Sequence, residues 1–366
     1  MYLIKKNIRR HIPKEWKEHV KFFTAGWFIA LIFFYMMRQV GVSGLPHFHF
    51  TFTKSILLLP FFSLVSGIIF GSLHHVFQKY FFRKIPLWRV MLRLAIDQLL
   101  IISLLTLVYF LSVRMMETNP VRFWDFIKSP STLIYYLYVL LVNLSLSFLW
   151  EITRLLGSGN FVKLVTGRFY KPKEEYRIFM FVDLKSSTTI AEKLGHIAYS
   201  SFIKDCFYDL AVVQHYNAQI YQYVGDEAVL TWERYKMKYL TQCVDAFWAF
   251  NDELSKRSAY YKATYGIIPD FKAGMSIGMV TVVEIGDIKK EIAYHGNTLN
   301  TASRIEAVCN FYNEKLLISK KMYDELIKEK SSYIYTKIAE TQLRGKQGIT
   351  EIYSVRRSSA IPTIIN

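Results

Sequence analysis

Residues 219–230 read QIYQYVGDEAVL. Two apolar-rich runs flank Gly225 and Asp226, a Gly-X pair suited to a tight two-residue hairpin. The pattern predicts paired strands with an acidic residue at their tip. Just upstream, residues 177–183 (RIFMFVD) read as a buried strand ending on Asp183, and 186–216 as one long helix with Ser and Thr near its start. Downstream come a helix over about 236–262, strands within 271–288, a helix over about 298–310 and a terminal strand pair around 333 and 353. This order predicts a helix-backed, mostly antiparallel sheet.

Strand ends hold the backbone still while a side chain projects into a cleft. If the strands carrying Asp183 and Asp226 are neighbours, two carboxylates converge, which suits a pair of Mg²⁺ (or Mn²⁺) ions. Such ions lower the pKa of an attacking hydroxyl and neutralise the phosphate it attacks. Taken singly, Asp183 reads rather as a helix N-terminal cap and Asp226 as a turn residue. A third constellation shifts the balance. In HGNTLNTASRIE, Asn300 and Arg304 are four apart and share a helix face just after Gly296. An amide beside a guanidinium can orient a ribose and hold charge developing on a phosphate. The alternative is a solvent-facing helix with an Arg to Glu pair.

The segments FVDLKSST, YQYVGDEAVL and GNTLNTASR, in this order and approximate spacing, resemble the catalytic domain of class III nucleotidyl cyclases, the adenylate and guanylate cyclase family, in its bacterial, membrane-anchored form. The resemblance covers roughly residues 176–356. It implies a ferredoxin-like palm, an α/β fold, working as a head-to-tail homodimer. Two sites across the interface would convert a nucleoside triphosphate to a 3′,5′-cyclic monophosphate and pyrophosphate. By position, Asp183 and Asp226 match the metal-binding aspartates, with the Leu184 backbone as a further ligand. Asn300 and Arg304 match the pair given by the other subunit to orient the ribose and stabilise the transition state. Lys346 in LRGKQG resembles a late basic residue that contacts the terminal phosphates. The base-reading positions depart from the family pattern. Gln222 stands where Lys or Glu is usual, and Ala293 where Asp, Thr or Cys is usual. An amide donates or accepts and a methyl does neither, so ATP is chosen on family frequency while GTP and pyrimidine triphosphates stay open.

The first half of the chain is different in kind. Of 366 residues 52% are hydrophobic, and mean hydropathy is +0.17, unusual for a wholly soluble protein. Before residue 176 there are 22 Lys+Arg against 8 Asp+Glu, and after it 24 against 21. The basic excess therefore lies beside the apolar runs, which points to anionic lipid headgroups rather than nucleic acid. Apolar stretches at about 20–37, 55–73, 95–113 and 132–150 predict a bundle of four transmembrane helices. The alternation of flanking Lys and Arg puts both termini and the catalytic domain on the cytoplasmic side of a cell membrane. No cleavable signal is expected from the basic N-terminal stretch. The expected organisation is 1–150 membrane domain, 151–175 coupling linker with a basic run suited to the inner leaflet, and 176–366 catalytic domain. Within the spans, Asp97 lies near a water-accessible cytoplasmic end and Gly67 and Gly71 form a GxxxG step that points to dimerisation, while His47 and His49 in an outer loop and His74 and His75 at an inner end read as interface histidines. Cys206, Cys243 and Cys309 have no paired spacing, which implies neither a disulfide framework nor a zinc site.

Overall fold

Helical periodicity gives way to alternation near residue 173, and the architecture changes there. The computed structural model describes residues 14–40, 52–80, 103, 106, 123–128, 130–155, 157, 160–342 and 349–358. The chain divides into two units, Met1–Leu155 and Leu156–Asn366.

The first unit contains α1 (Lys14–Val40), α2 (Phe52–Tyr80), α3 (Phe123–Lys128) and α4 (Pro130–Leu155). Among the described residues three helical segments are long and apolar enough to cross a membrane: Trp16–Met37, Leu59–Val76 and Tyr136–Arg154. The fourth expected span, 95–113, lies outside the described residues apart from Ser103 and Thr106, and so do Asp97, His47 and His49. Ile29, Phe33, Phe61, Leu137 and Leu141 stay exposed on these helices, a distribution suited to lipid. Gly67 and Gly71 are used inside the chain. A Cβ at Gly67 would fall 2.6 Å from the Thr24 Cα, and one at Gly71 would fall 2.9 Å from the Val20 Cα. The GxxxG step thus seats α2 on α1, and its expected role in dimerisation is not needed to explain it. His74 and His75 are likewise interior. Their rings stand 5.4 and 5.1 Å from that of His19, which packs 4.2 Å from Trp150. Among the described residues no group of three His, Cys, Asp or Glu side chains is placed to hold a metal.

The second unit runs α5 (Asn160–Val165), β1 (Lys173–Leu184), α6 (Ser187–Leu194), α7 (His196–Asp209), β2 (Gln219–Val224), β3 (Glu227–Glu233), α8 (Thr241–Lys256), α9 (Ser258–Tyr265), β4 (Phe271–Ile285), β5 (Glu291–His295), α10 (Asn297–Ala307), β6 (Leu316–Ser319), α11 (Lys320–Leu326), β7 (Tyr333–Gln342) and β8 (Ile349–Arg357). The strands form one sheet ordered β2-β3-β1-β4-β6-β8-β7, with β5 paired to β4. Every described pairing is antiparallel except β4 with β6, so the expected mixed α/β sheet is present. The long helix expected over 186–216 is three pieces, broken at Gly195 (φ 73°) and ending in a 3₁₀ segment, Leu210–Tyr216. That over 236–262 breaks at Arg257.

Alternation along β1 supplies two cores. Ile178, Met180, Val182 and Leu184 face Phe202, Phe247 and Phe250 of α7 and α8. Phe179 and Phe181 face Tyr294 and Ala302 on the other side, where Phe169 of the linker is also buried. The linker is tied down further, since the Glu284 N–H donates to the Phe169 carbonyl at 2.9 Å. Lys163 is buried and pairs with Glu233 at 3.3 Å, so this member of the basic run faces protein and not a leaflet. All three cysteines are buried and unpaired.

Two glycines of β4 let α10 approach. A Cβ at Gly274 would sit 2.1 Å from the Glu306 backbone nitrogen, and one at Gly278 would sit 2.5 Å from Thr298 Oγ1. Because backbone cannot swing aside as a side chain can, Gly274→Ala is expected to cost about 1–3 kcal/mol. Denaturant unfolding measures it, and a change below the error of the fit would contradict the close seating.

Candidate active site

Strand register builds the site. Asp183 lies one residue from the end of β1, opposite Glu227 at the start of β3 and opposite Lys272 at the start of β4. Asp226 occupies the two-residue turn between Val224 and Glu227, where Gly225 takes the left-handed φ of 61° that the turn requires. The hairpin and the end of β1 therefore present Asp183, Asp226 and Glu227 together. Ser186 caps α6 with φ 56°, so Asp183 is not the cap of that helix.

The electrostatics reflect crowding. Burial pushes the Asp183 carboxyl above the usual range, Lys272 pulls it back, and the charge of Asp226 adds to the upward push. Glu227 is pushed up to about 7, first by burial and then by Glu306, Asp183 and Asp226. One buried cation answers this charge. Lys272 Nζ lies 3.2 Å from Asp183 Oδ2 and 2.5 Å from Glu306 Oε1. Burial opposes the ammonium, yet pairing with Glu306 and Asp183 holds Lys272 above the usual lysine range.

The donor chemistry fits a hard divalent cation. Mg²⁺ keeps several waters and takes its remaining ligands from one or two carboxylates and substrate phosphates, so Asp183 and Asp226 suffice without a complete protein cage. Leu184, buried at the end of β1, places its carbonyl next in the chain to Asp183.

Asn300 and Arg304 are elsewhere. Thr298, Thr301, Ala302, Ile305 and Glu306 form the buried edge of α10, while Asn300 is exposed and Arg304 half-buried. The pair thus turns away from the edge that carries Glu306 to Lys272. The alternative reading of this helix, an Arg to Glu pair, gives way to a pair of Glu306 with Lys272. Gln222 is exposed on β2, opposite Val229 and beside an irregularity at Tyr221. Ala293 is buried on β5, opposite Val283. Their neighbours Tyr221 and Tyr294 meet edge to face at 4.9 Å, and the Arg177 guanidinium lies 4.7 Å from the Tyr294 ring. Lys346 lies outside the described residues.

Sequence reasoning missed Lys272, Glu227 and Glu306. A single Lys at the head of the apolar strand FKAGMSIG was the available signal for the first, since a charge there is buried only with a partner.

Residues 170–356 match the family model described as the adenylate and guanylate cyclase catalytic domain. "Adenylate cyclase 2" of Rhizobium meliloti (strain 1021) is 33% identical over 183 residues, covering 50% of this chain and 50% of that protein. The match therefore spans about half the length of that relative. Among solved structures, a bacterial light-regulated adenylyl cyclase is similar with a TM-score of 0.52 at 16% identity, over 63% of this chain and 67% of that one. The adenylyl cyclase CyaB from P. aeruginosa gives a TM-score of 0.46 at 20% identity, over 52% and 98%.

Proposed function

Because residues 170–356 place this chain in the adenylate and guanylate cyclase catalytic domain family, we propose that it is a membrane-bound nucleotidyl cyclase. Its substrate is a nucleoside triphosphate, ATP first, and its products are the 3′,5′-cyclic monophosphate and pyrophosphate. The observation that carries this reading is the meeting of Asp183 and Asp226 at one strand end and hairpin tip.

In the reaction the ribose 3′ oxygen bonds to the α-phosphorus, the bond from that phosphorus to the pyrophosphate oxygen breaks, and the 3′ proton leaves to solvent. Two bound divalent ions would acidify the 3′ hydroxyl and neutralise the phosphates. Asp183, Asp226 and the Leu184 carbonyl would hold them. Asn300 orients the ribose, and Arg304 stabilises charge on the α-phosphate as it becomes five-coordinate. Lys346 binds the terminal phosphates, and Gln222 and Ala293 line the base. Asn300 and Arg304 face away from the Lys272 edge of α10, which supports a site completed by a second copy of the chain. Two such sites then form per homodimer.

Residues 1–150 act as a four-span membrane domain with both termini cytoplasmic, 151–175 as a coupling linker and 176–366 as the catalytic domain. Burial of Lys163 and Phe169 against the sheet supports the linker as a mechanical connection rather than a tether.

Choice of ATP rests on kinship to a protein named adenylate cyclase. The pocket chemistry does not select it, since Ala293 offers no hydrogen bond and the Gln222 amide fits either purine. The test is purified protein with Mn²⁺ and, separately, ATP, GTP, CTP and UTP, with cyclic products resolved by chromatography. Cyclic AMP as the main product is expected. A different main product would overturn the base assignment, and no cyclic product from any of the four would overturn the enzyme.

A further inference from the structure

Lys272 and Glu306 are almost sealed, their side chains 7% and 8% exposed. A lysine in such a place is held by its partners, because an unpaired buried ammonium is strongly disfavoured. Its partners come from different elements and are unequally engaged: Glu306 of α10 at 2.5 Å and Asp183 of β1 at 3.2 Å. The ammonium is thus anchored on the helix and reaches across to the acid at the strand end. Asp183 is more open, with 23% of its side chain exposed. Asp226 adds negative charge at the same point, and Glu227 stands beside it.

We propose that Lys272 is a built-in counter-ion, a positioning residue that holds Asp183 while no divalent cation is bound and gives it up to the cation, keeping Glu306 as its partner. The inference rests on Asp183 being a metal ligand, and it adds to that reading what fills the role in the metal-free protein. Four carboxylates, Asp183, Asp226, Glu227 and Glu306, share this neighbourhood, and Lys272 is the buried cation in contact with two of them. A divalent ion supplies the charge that Asp183 needs, and Lys272 remains neutralised because Glu306 is the nearer of its two partners. The ammonium therefore competes with the ion, and Glu306 moderates that competition by sharing the positive charge.

Opposite signs follow. Removing the ammonium relieves competition, so Lys272→Met tightens divalent binding. Removing the helix carboxylate leaves the ammonium to Asp183 alone, so Glu306→Gln weakens it. A bracing role with no competition predicts weaker binding in both variants, because Asp183 loses its support in both.

The experiment is titration of Mn²⁺, without nucleotide, into the full chain in detergent, with free Mn²⁺ counted by electron paramagnetic resonance. Asp183→Asn identifies the site by loss of binding. The expected result is a half-saturating Mn²⁺ concentration lowered about fivefold or more in Lys272→Met and raised about fivefold or more in Glu306→Gln, as follows from unit charges a few ångströms apart at the effective dielectric of a protein. Shifts in the same direction, or no shift in either, overturn the proposal. Should Lys272→Met fail to fold, Lys272→Gln, which also removes the ammonium and keeps a polar end beside Glu306, takes its place, and unchanged or weaker binding in it overturns the proposal. Product assays on the wild type run in parallel separate the two readings. Cyclic product with unmoved affinities removes the counter-ion and leaves the enzyme. Opposed shifts without product remove the enzyme and leave the counter-ion. A wild type that takes up no Mn²⁺ without nucleotide removes the counter-ion, and the product assay alone then judges the enzyme.

Discussion

Asp183→Asn is expected to lower cyclic nucleotide formation by on the order of 10³-fold, with the protein still folded. The substitution keeps volume and one hydrogen-bonding oxygen but removes the charge at the place where Asp226, Glu227 and Lys272 converge. Arg304→Ala is expected to lose activity to a comparable degree, because in the proposed site the guanidinium would act on charge that exists only in the transition state. The two lesions fall on different parts of a chain, and composite sites make them complementary. When the variants are mixed in equal amounts and allowed to exchange, half of the dimers carry one lesion on each chain and own one intact site. The mixture should then recover about a quarter of wild-type activity. Single-variant rates close to wild type would remove the assigned roles, and a mixture no more active than its components despite proven heterodimers would remove the shared site.

The second large effect concerns stability. Arg177 is fully buried in β1 and donates to Glu175 at 2.7 Å, to Glu233 and Thr231 at 3.1 Å, and to Gln219 at 3.4 Å, while its guanidinium faces the Tyr294 ring. Glu233 also holds Lys163 from the linker. Arg177→Met would take a buried guanidinium from Glu175 and Glu233, which keep Arg168 and Lys163 with Lys236 respectively, a loss of about 2–3 kcal/mol. Chemical denaturation of the cyclase half of the chain, followed by tryptophan fluorescence, measures it directly. Trp232 is a suitable reporter, since it is buried in β3 one residue from Glu233. A cost below about 1 kcal/mol would mean that the network is solvated in solution and contributes as an ordinary surface pair.

Local features of the fold were legible in the sequence, and long-range ones were less so. The hairpin at 219–230 could be read because Gly225 and Asp226 interrupt two apolar runs, and β1 could be read because RIFMFVD is a run too apolar to be anything exposed. The break at Gly195 was missed because apolar spacing continues on both sides of it, and that at Arg257 because neither Gly nor Pro marks it. Strand β5 has only five residues between charged and glycine-containing neighbours, and β6 has four, so neither carries enough alternation to declare itself. The parallel contact of β4 with β6 depends on the intervening β5 and α10, and no local pattern encodes it. In the site, Asp183 and Asp226 were legible as strand-end acids. Their convergence was conditional on strand order, and it is the register of β1 between β3 and β4 that brings Glu227 and Lys272 to the same place. Glu306, two positions after Arg304, is turned by the helix period toward the sheet, where it meets Lys272.

Burial of every native cysteine has a practical reach. It pushes the Cys206 and Cys309 thiols up to about 12 and that of Cys243 well above its ordinary value, so at neutral pH almost none of the reactive anion forms. Maleimide and nitroxide reagents should pass over the folded wild-type chain, which makes it a ready background for site-directed labelling with no prior removal of cysteines. A single Ile288→Cys on the exposed turn between β4 and β5 would carry the probe alone, and dipolar spectroscopy between two such probes would read the distance separating a pair of catalytic bodies in a lipid disc.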